Sequence, residues 1–157
     1  MTKFSRQGFS LGPGGGDRLS YGGQQLLYKV RGEQTQGRLG VVEFQMPPRL
    51  EGPPLHTDGH DELFIVAAGE MTFQLDEEVL EAPAGSLVFV PEGVRHTFAN
   101  RQDAPARLLT LFSPGGFERL FEQVVEMSGD GPPDMAKVLA LGASYGTNYV
   151  GQPKWRL

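Results

Sequence analysis

The residues of this sequence best suited to chemistry are two histidines and two carboxylates. His56, Asp58 and Glu62 lie close together, and His96 follows after several short apolar segments. Side chains alternate between the faces of a strand, so an extended chain puts His56, Asp58 and Glu62 on one side, unless a turn at 59–61 redirects Glu62. Imidazole and carboxylate sets of this kind bind divalent first-row metals, as in non-haem Fe(II) oxygenases. We therefore predict a metal site formed by these four residues.

Short strand-like segments surround these residues. They fall at 25–30, 40–46, 63–68, 71–75, 79–82, 86–90, 96–100 and 106–113. Gly, Pro, Asp or Asn stands in most of the gaps, a pattern typical of an all-β sandwich or barrel. Residues 49–61 are rich in Pro and Gly and are predicted to form a loop. The aromatic residues of these segments are expected to fill the core or to line a pocket for a flat substrate: Phe44, Phe64, Phe73, Phe89 and Phe98.

The pattern becomes helical after Pro114. Apolar residues recur at i, i+3, i+4, i+7 and i+8 from Phe117 to Val125, and a second helix is predicted from about 134 to 141. Residues 1–16 are polar and end in a glycine-rich run, which is typical of a mobile arm. We therefore divide the chain into an arm (1–16), a barrel (17–114) and a helical extension (115–157) that packs on the barrel or on a partner chain.

Composition excludes several classes of function. The chain has 157 residues, a net charge of −5 and no cysteine, so thiolate metal sites and disulfides are excluded and a nucleic-acid partner is not expected. No apolar run is long enough to cross a bilayer, and the N-terminus lacks the apolar run of a signal peptide. We therefore expect a cytoplasmic protein that acts on a small molecule.

A spaced pattern around His96 carries a resemblance to a known family. Gly85, Pro91, Gly93, His96 and Asn100 fall at the spacing G-x5-P-x-G-x2-H-x3-N, which resembles one of the two motifs of the cupins. The glycines are expected to adopt positive φ angles in tight turns, and Asn100 is expected to close a turn.

The segment GPPLHTDGHDELFIVAAGE resembles the other cupin motif. Gly52, His56, Glu62 and Gly69 match it, although Gly52 lies two residues closer to the histidine than is usual. Asp58 stands where the family has a second histidine. The resemblance extends to the C-terminal segments FSPGGFERLFEQV and LALGASYGTNYVGQP, and is strongest for small, single-domain, quercetin dioxygenase-like cupins.

This resemblance implies a double-stranded β-helix barrel, a homodimer and a metal-dependent dioxygenase. His56, Asp58, Glu62 and His96 would hold the metal, and Glu62 would also act as the catalytic base. A second carboxylate favours iron, manganese or nickel over copper, while zinc also suits such a site. His60 could replace Asp58 as a ligand, but we favour Asp58, because the family supplies that ligand from the strand. We expect His60 to be exposed.

Two alternatives remain open from the sequence. Asp58 could mark a degraded metal site, in which case the protein would bind a small ligand or a sugar without catalysis. His56, Asp58 and His96 could instead form the facial triad of a 2-oxoglutarate oxygenase. That activity would need a basic residue to hold the cosubstrate, and Arg107 is the candidate.

Overall fold

The chain folds into two facing antiparallel sheets followed by two helices. The computed structural model describes residues 7–156, in which one sheet has the strand order β1-β2-β3-β10-β5-β8 and the other β11-β4-β9-β6-β7. The strands are β1 (Asp17–Tyr21), β2 (Gln24–Val30), β3 (Gly40–Met46), β4 (Leu55–Thr57), β5 (Asp61–Ala68), β6 (Glu70–Leu75), β7 (Glu78–Pro83), β8 (Leu87–Val90), β9 (His96–Ala99), β10 (Ala106–Ser113) and β11 (Asn148–Gly151). The helices are α1 (Arg119–Ser128) and α2 (Met135–Ser144). The predicted all-β barrel with two C-terminal helices is confirmed.

Three strands were not predicted. β1 is polar and largely exposed, and it forms by pairing with β2. β4 lies within the segment predicted as a loop, so that prediction is wrong for Leu55–Thr57. β4 is paired by β9 on one side and by β11, from the tail of the chain, on the other. The Pro and Gly residues of 49–61 predict a loop, but pairing with two distant strands makes Leu55–Thr57 a strand. The sequence within 49–61 carries no information about that pairing.

The turn residues of the motif around His96 behave as expected. Gly85 and Gly93 have φ angles of +93° and +83°, a region that glycine enters without steric cost. The Asn100 amide donates hydrogen bonds to the carbonyls of Pro47 and Ala104 at 3.0 and 2.9 Å. Asn100 therefore closes the end of β9 against the segment before β10.

The core lies between the two sheets and is strongly aromatic. Leu108, Thr110 and Phe112 alternate along the inner face of β10, the strand that pairs with both β3 and β5. Phe64 packs against Phe73 and Phe98 with ring centroids 5.3 and 5.4 Å apart.

Phe89 departs from the core that the sequence suggested. Its side chain is 51% exposed, because it lies on the outer face of β8, an edge strand.

Helix α1 closes one side of the barrel. Phe121 packs edge-on against Phe44 and Tyr21, with centroid distances of 5.5 and 5.1 Å. The buried carboxylate of Glu118, at the start of α1, accepts hydrogen bonds from the backbone N–H groups of Gly32 and Gly116. These bonds fix the helix to the turn after β2, so the helix is held over the interior of the barrel.

The two ends of the chain differ in what they contact. The first six residues of the predicted arm lie outside the described residues; further along, the Gly15 carbonyl accepts a hydrogen bond from Lys29 at 2.6 Å. The tail returns to the barrel as β11, where Tyr149 is paired with His56. Among the described helices, none is long and apolar enough to span a membrane.

Candidate metal centre

His56 and His96 face each other across two paired strands. They are direct partners in the β4–β9 pair, and their ring centroids are 4.3 Å apart. The Nδ1 atom of His56 lies 2.8 Å from the Pro54 carbonyl, and that of His96 lies 2.9 Å from the Val94 carbonyl. A neutral imidazole that donates from Nδ1 leaves a lone pair on Nε2. In their neutral forms, both imidazoles therefore present Nε2 as a ligand atom.

Asp58 follows β4 and is buried between these rings. Its Oδ2 atom lies 3.4 Å from His56 Nε2 and 3.3 Å from His96 Nε2, without hydrogen-bond geometry to any described residue. Its Oδ1 atom accepts a hydrogen bond from the Thr147 hydroxyl. A buried carboxylate oxygen without such a partner is costly unless a cation or another donor reaches it.

Glu62 completes the predicted set from the inner face of β5. It is buried and lies opposite Phe112 of β10 and Val90 of β8. Its Oε2 atom is 3.1 Å from His96 Nε2 and its Oε1 atom is 3.0 Å from His60 Nε2. All four residues predicted from the sequence therefore lie together in the interior.

His60 is buried, contrary to the expectation from the sequence. It is only 5% exposed, and its Nε2 atom lies 3.9 Å from Asp58 Oδ2 as well as beside Glu62. Its ring packs on Phe117 at a centroid distance of 4.4 Å, with the two planes tilted by 40°, and meets Phe112 edge-on at 5.7 Å. The segment before α1 covers His60, and that contact spans too much sequence for local pattern to predict. The sequence does contain one indication of this burial: His56, Asp58, His60 and Glu62 are spaced by two residues, so an extended chain would place all four side chains on one face.

The arrangement fits a metal ion. Two overlapping groups of donors converge, His56–Asp58–His96 and Asp58–His60–Glu62, and all five residues are buried. Ligands bound at about 2.1 Å in an octahedral or tetrahedral shell lie roughly 3.0–3.4 Å apart. The donor separations of 3.0–3.4 Å around Asp58, Glu62 and the three imidazoles match this spacing, except for the 3.9 Å from His60 to Asp58.

Close packing of unlike charges shifts the protonation of these groups. Burial alone would lower the pKa of His96, but contacts with Asp58 and Glu62 raise it to about 10. Burial would raise the pKa of Asp58, yet the imidazoles of His56 and His96 hold it well below its usual range. Burial likewise opposes ionisation of Glu62, but its bonds to His60 and His96 lower its pKa. Without a metal, the site is therefore a cluster of ionised carboxylates with a protonated His96.

A cavity of about 240 Å³ adjoins the cluster. His56, Glu62 and Thr147 form part of its wall, and most of the remaining wall is aromatic. The aromatic lining residues are Tyr21, Phe44, Phe64, Phe98, Phe112, Phe117, Phe121 and Tyr149. Such a pocket suits a small ligand with a flat apolar surface.

The tail of the chain supplies two residues that the sequence analysis missed. Thr147 bonds to Asp58, and the Tyr149 ring lies 5.9 Å from that of His56. Burial, followed by the charge of Asp58, raises the pKa of Tyr149. Both residues lie in the C-terminal segment LALGASYGTNYVGQP that shares the family resemblance, but the resemblance assigned them no role at the site. The pairing of β11 with β4 is what brings them there.

Arg107, the candidate clamp for 2-oxoglutarate, points away from the site. Its guanidinium lies 3.0 Å from Glu43, and half of its side chain is exposed. It does not line the cavity, and no other arginine or lysine does so among the described residues. The described cavity wall therefore lacks the basic residue that a 2-oxoglutarate oxygenase needs to hold its cosubstrate.

Comparison with known proteins agrees with this fold. The cupin domain family model matches residues 42–112, which include the whole predicted metal set. No curated protein matches the chain. The family match covers less than half of the chain, and together with the solved structures it supports a cupin-type fold for the barrel.

Three solved structures illustrate the range of proteins with a similar fold. The RmlC-like cupin from Shewanella frigidimarina is 22% identical, covering 71% of this chain and 95% of its own, with a TM-score of 0.59. The polyketide cyclase RemF from Streptomyces resistomycificus is 18% identical, with coverages of 68% and 80% and a TM-score of 0.58. A cupin-superfamily sugar phosphate isomerase from Silicibacter pomeroyi is 22% identical, with coverages of 66% and 74% and a TM-score of 0.56. Such likeness shows the fold, and the reaction must be argued from the site.

Proposed function

We propose that this protein is a metal-dependent dioxygenase of the quercetinase-like kind, acting on a small, flat, uncharged organic molecule. The observation that supports this most strongly is the convergence of three imidazoles and two carboxylates beside an aromatic cavity. Two-histidine carboxylate sites with open positions are characteristic of non-haem oxygenases.

His56, Asp58, Glu62 and His96 would hold the metal. Two ionised carboxylates neutralise a divalent charge and favour iron, manganese or nickel over copper, while zinc also suits the donors. When bound, the metal supplies a Lewis-acid and redox centre for the substrate oxygen and O₂. The carbonyls of Pro54 and Val94 hold the two imidazole rings in place.

Glu62 is the proposed base. It lines the cavity and is held ionised by its neighbours, so it can accept a proton from a substrate hydroxyl. Its lowered pKa makes it a weak base alone. His60 Nε2 lies 3.0 Å from Glu62 Oε1, the carboxylate oxygen that does not face His96. His60 can therefore take the proton from Glu62. The aromatic walls exclude water from this exchange.

Metal content and oxygen uptake test the proposal. Protein purified without added metal is analysed for bound ions, then reloaded separately with Fe²⁺, Mn²⁺, Ni²⁺ and Zn²⁺. Oxygen consumption is followed with quercetin and smaller phenols. We expect one ion per chain and uptake with at least one redox-active metal, both lost in His96→Ala and kept in Thr72→Val, a buried change away from the donor set. Substoichiometric metal unaffected by His96→Ala would contradict the proposal.

Ligand binding without catalysis is the second candidate. It is favoured by the mutual pairing of the cluster, since the Nε2 atoms of His60 and His96 lie 3.0 and 3.1 Å from the carboxylate oxygens of Glu62. A small molecule that binds equally well with and without metal, and is recovered unchanged in air, would support this candidate over the dioxygenase.

A further inference from the structure

Two polar side chains in the cavity wall have buried oxygen atoms without partners. Thr110 Oγ1 and Gln24 Oε1 make no hydrogen bond within the described part of the chain, and both residues line the cavity. Thr110 is only 1% exposed. Buried polar atoms are normally paired, so two unpaired oxygens in one pocket point to a ligand that pairs with them.

Strand register puts Thr110 next to the proposed base. On β10 the residue opposite Glu62 is Phe112, and Thr110 is opposite Phe64, the next residue on the same inner face of β5. Thr110 and Glu62 are thus diagonal neighbours, a relation in which side chains lie within reach of one bound group. The Thr110 hydroxyl therefore belongs to the end of the cavity that contains the metal donors.

Gln24 belongs to the opposite end. Thr110 shares a row across the sheet with Val42 and Tyr28. Gln24 precedes Tyr28 by four residues on β2, an offset of roughly 13 Å along the strand. Phe44, which lines the pocket, lies in the row between these positions, opposite Leu26 and Leu108, and Phe64 lies in the row of Thr110. The cavity therefore has two polar ends and an aromatic middle.

The charge of the lining limits the ligand. Its formally charged carboxylates are Glu51 and Glu62, and no lysine or arginine of residues 7–156 contributes to it. An anionic ligand would be buried beside these carboxylates without a lysine or arginine in the wall to neutralise it, which is strongly unfavourable.

We propose that Thr110 and Gln24 are specificity-determining residues for an elongated, uncharged aromatic molecule with a hydroxyl group towards each end. Thr110 binds the group beside Glu62, and Gln24 Oε1 accepts a hydrogen bond from the distal hydroxyl. An analogue without these groups leaves both oxygens unpaired and is rejected for that reason. The role of this molecule as a substrate rests on the proposed function, whereas its binding does not.

Calorimetric titration with a graded set of probes tests the inference. The probes are 2,6-dihydroxynaphthalene, 2-naphthol and naphthalene-2-sulfonate, titrated into metal-free and metal-loaded protein. We expect affinity to fall in that order. Thr110→Val and Gln24→Met should each weaken 2,6-dihydroxynaphthalene about five- to tenfold, the loss of one buried hydrogen bond.

Matched variants separate recognition from damage to the fold. Thr72→Val removes a buried hydroxyl from the sheet that does not contain Thr110, where Thr72 donates a hydrogen bond to Glu81 of the neighbouring strand. Gln25→Met changes the exposed neighbour of Gln24. Both should bind the probes like the wild type. Thr110→Val should keep or raise the melting temperature while it weakens binding, because it removes an unpaired hydroxyl.

Specific outcomes would overturn the inference. Unchanged affinity for 2,6-dihydroxynaphthalene in both Thr110→Val and Gln24→Met would do so, as would tighter binding of naphthalene-2-sulfonate than of the phenols. If the variants weaken binding but the protein takes up no metal, the recognition sites stand and the proposed dioxygenase fails. If metal and oxygen uptake are present and the variants bind normally, the recognition inference alone fails.

Discussion

Asp58 is the residue around which the metal donors are arranged. One of its oxygens is held by Thr147, and the other faces His56 and His96. A carboxylate in this position shortens the side chain relative to histidine and adds a negative charge. His60 approaches it from the same loop, with its Nε2 atom 3.9 Å from Asp58 Oδ2.

Substitution of Asp58 should change both the affinity and the choice of metal. Asp58→Asn keeps the shape and removes the charge, so we expect divalent-metal affinity to fall at least about tenfold, equivalent to about 1.4 kcal/mol. Asp58→His should move the preference towards softer ions such as Cu²⁺. Elemental analysis and competition with a chelator measure both effects. Unchanged metal content and identity in both variants would show that Asp58 is not a ligand.

The protonation of His96 predicts how the metal-free protein responds to pH. Because its folded pKa is raised to about 10, its contribution to stability is complete below its unfolded value of about 6.5 and is lost as pH rises towards 10. Asp58 and Glu62, with lowered pKa values, contribute above about pH 4 and lose that contribution in acid. We therefore expect the melting temperature of metal-free protein to fall between pH 7 and pH 10.

Two comparisons test whether deprotonation of His96 causes this fall in melting temperature. His96→Gln should flatten the alkaline fall in melting temperature. Metal-loaded protein should also lack it, because a ligating imidazole has already given up its proton. An equally steep fall in all three samples would assign the effect to other groups.

At the level of elements, β4 and β11 make the site possible. β4 has three residues, and its pairing with β9 aligns His56 with His96. β11 then covers the other edge of β4 and brings Thr147 to Asp58. A short strand fixed on both edges positions ligands more precisely than the loop predicted for this segment.

Thr147 tests the contribution of the tail. Thr147→Val removes the hydroxyl that donates to Asp58 and leaves Asp58 Oδ1 buried without that donor. We expect a loss of about 1–3 kcal/mol in the free energy of unfolding, together with weaker metal binding. Denaturant unfolding and metal titration measure the two effects. Thr147→Ser keeps the hydroxyl and serves as the control; equal losses in both variants would indicate packing instead.

At the level of the whole molecule, the proposed metal would join distant parts of the chain. Its ligands come from β4, the following loop, β5 and β9, which belong to both sheets. An ion that binds only the folded state stabilises it by mass action. The homodimer implied by the family resemblance remains a prediction, which light scattering coupled to gel filtration would test.

Metal loading should therefore raise the thermal stability of the fold. At a free metal concentration one hundred times the dissociation constant, the gain is about 2.7 kcal/mol. For a chain of this size that corresponds to a rise of roughly 5–10 °C in melting temperature. Differential scanning calorimetry with and without chelator measures it. A chelator effect of the same size in His96→Ala would place the stabilising ion elsewhere.

The sequence by itself determined the architecture and the predicted metal donors. Strand-length apolar segments, turn glycines and two spaced motifs are local signals, and local signals suffice to predict a barrel and to select His56, Asp58, Glu62 and His96. Only the tertiary structure decided that His60 is buried, that Thr147 holds Asp58, and that Thr110 and Gln24 lie in one cavity. Each of these facts depends on packing or pairing between segments far apart in the chain. The tail reaches β4, the start of α1 covers His60, and β2 and β10 close around the same space, none of which leaves a periodic trace in the sequence.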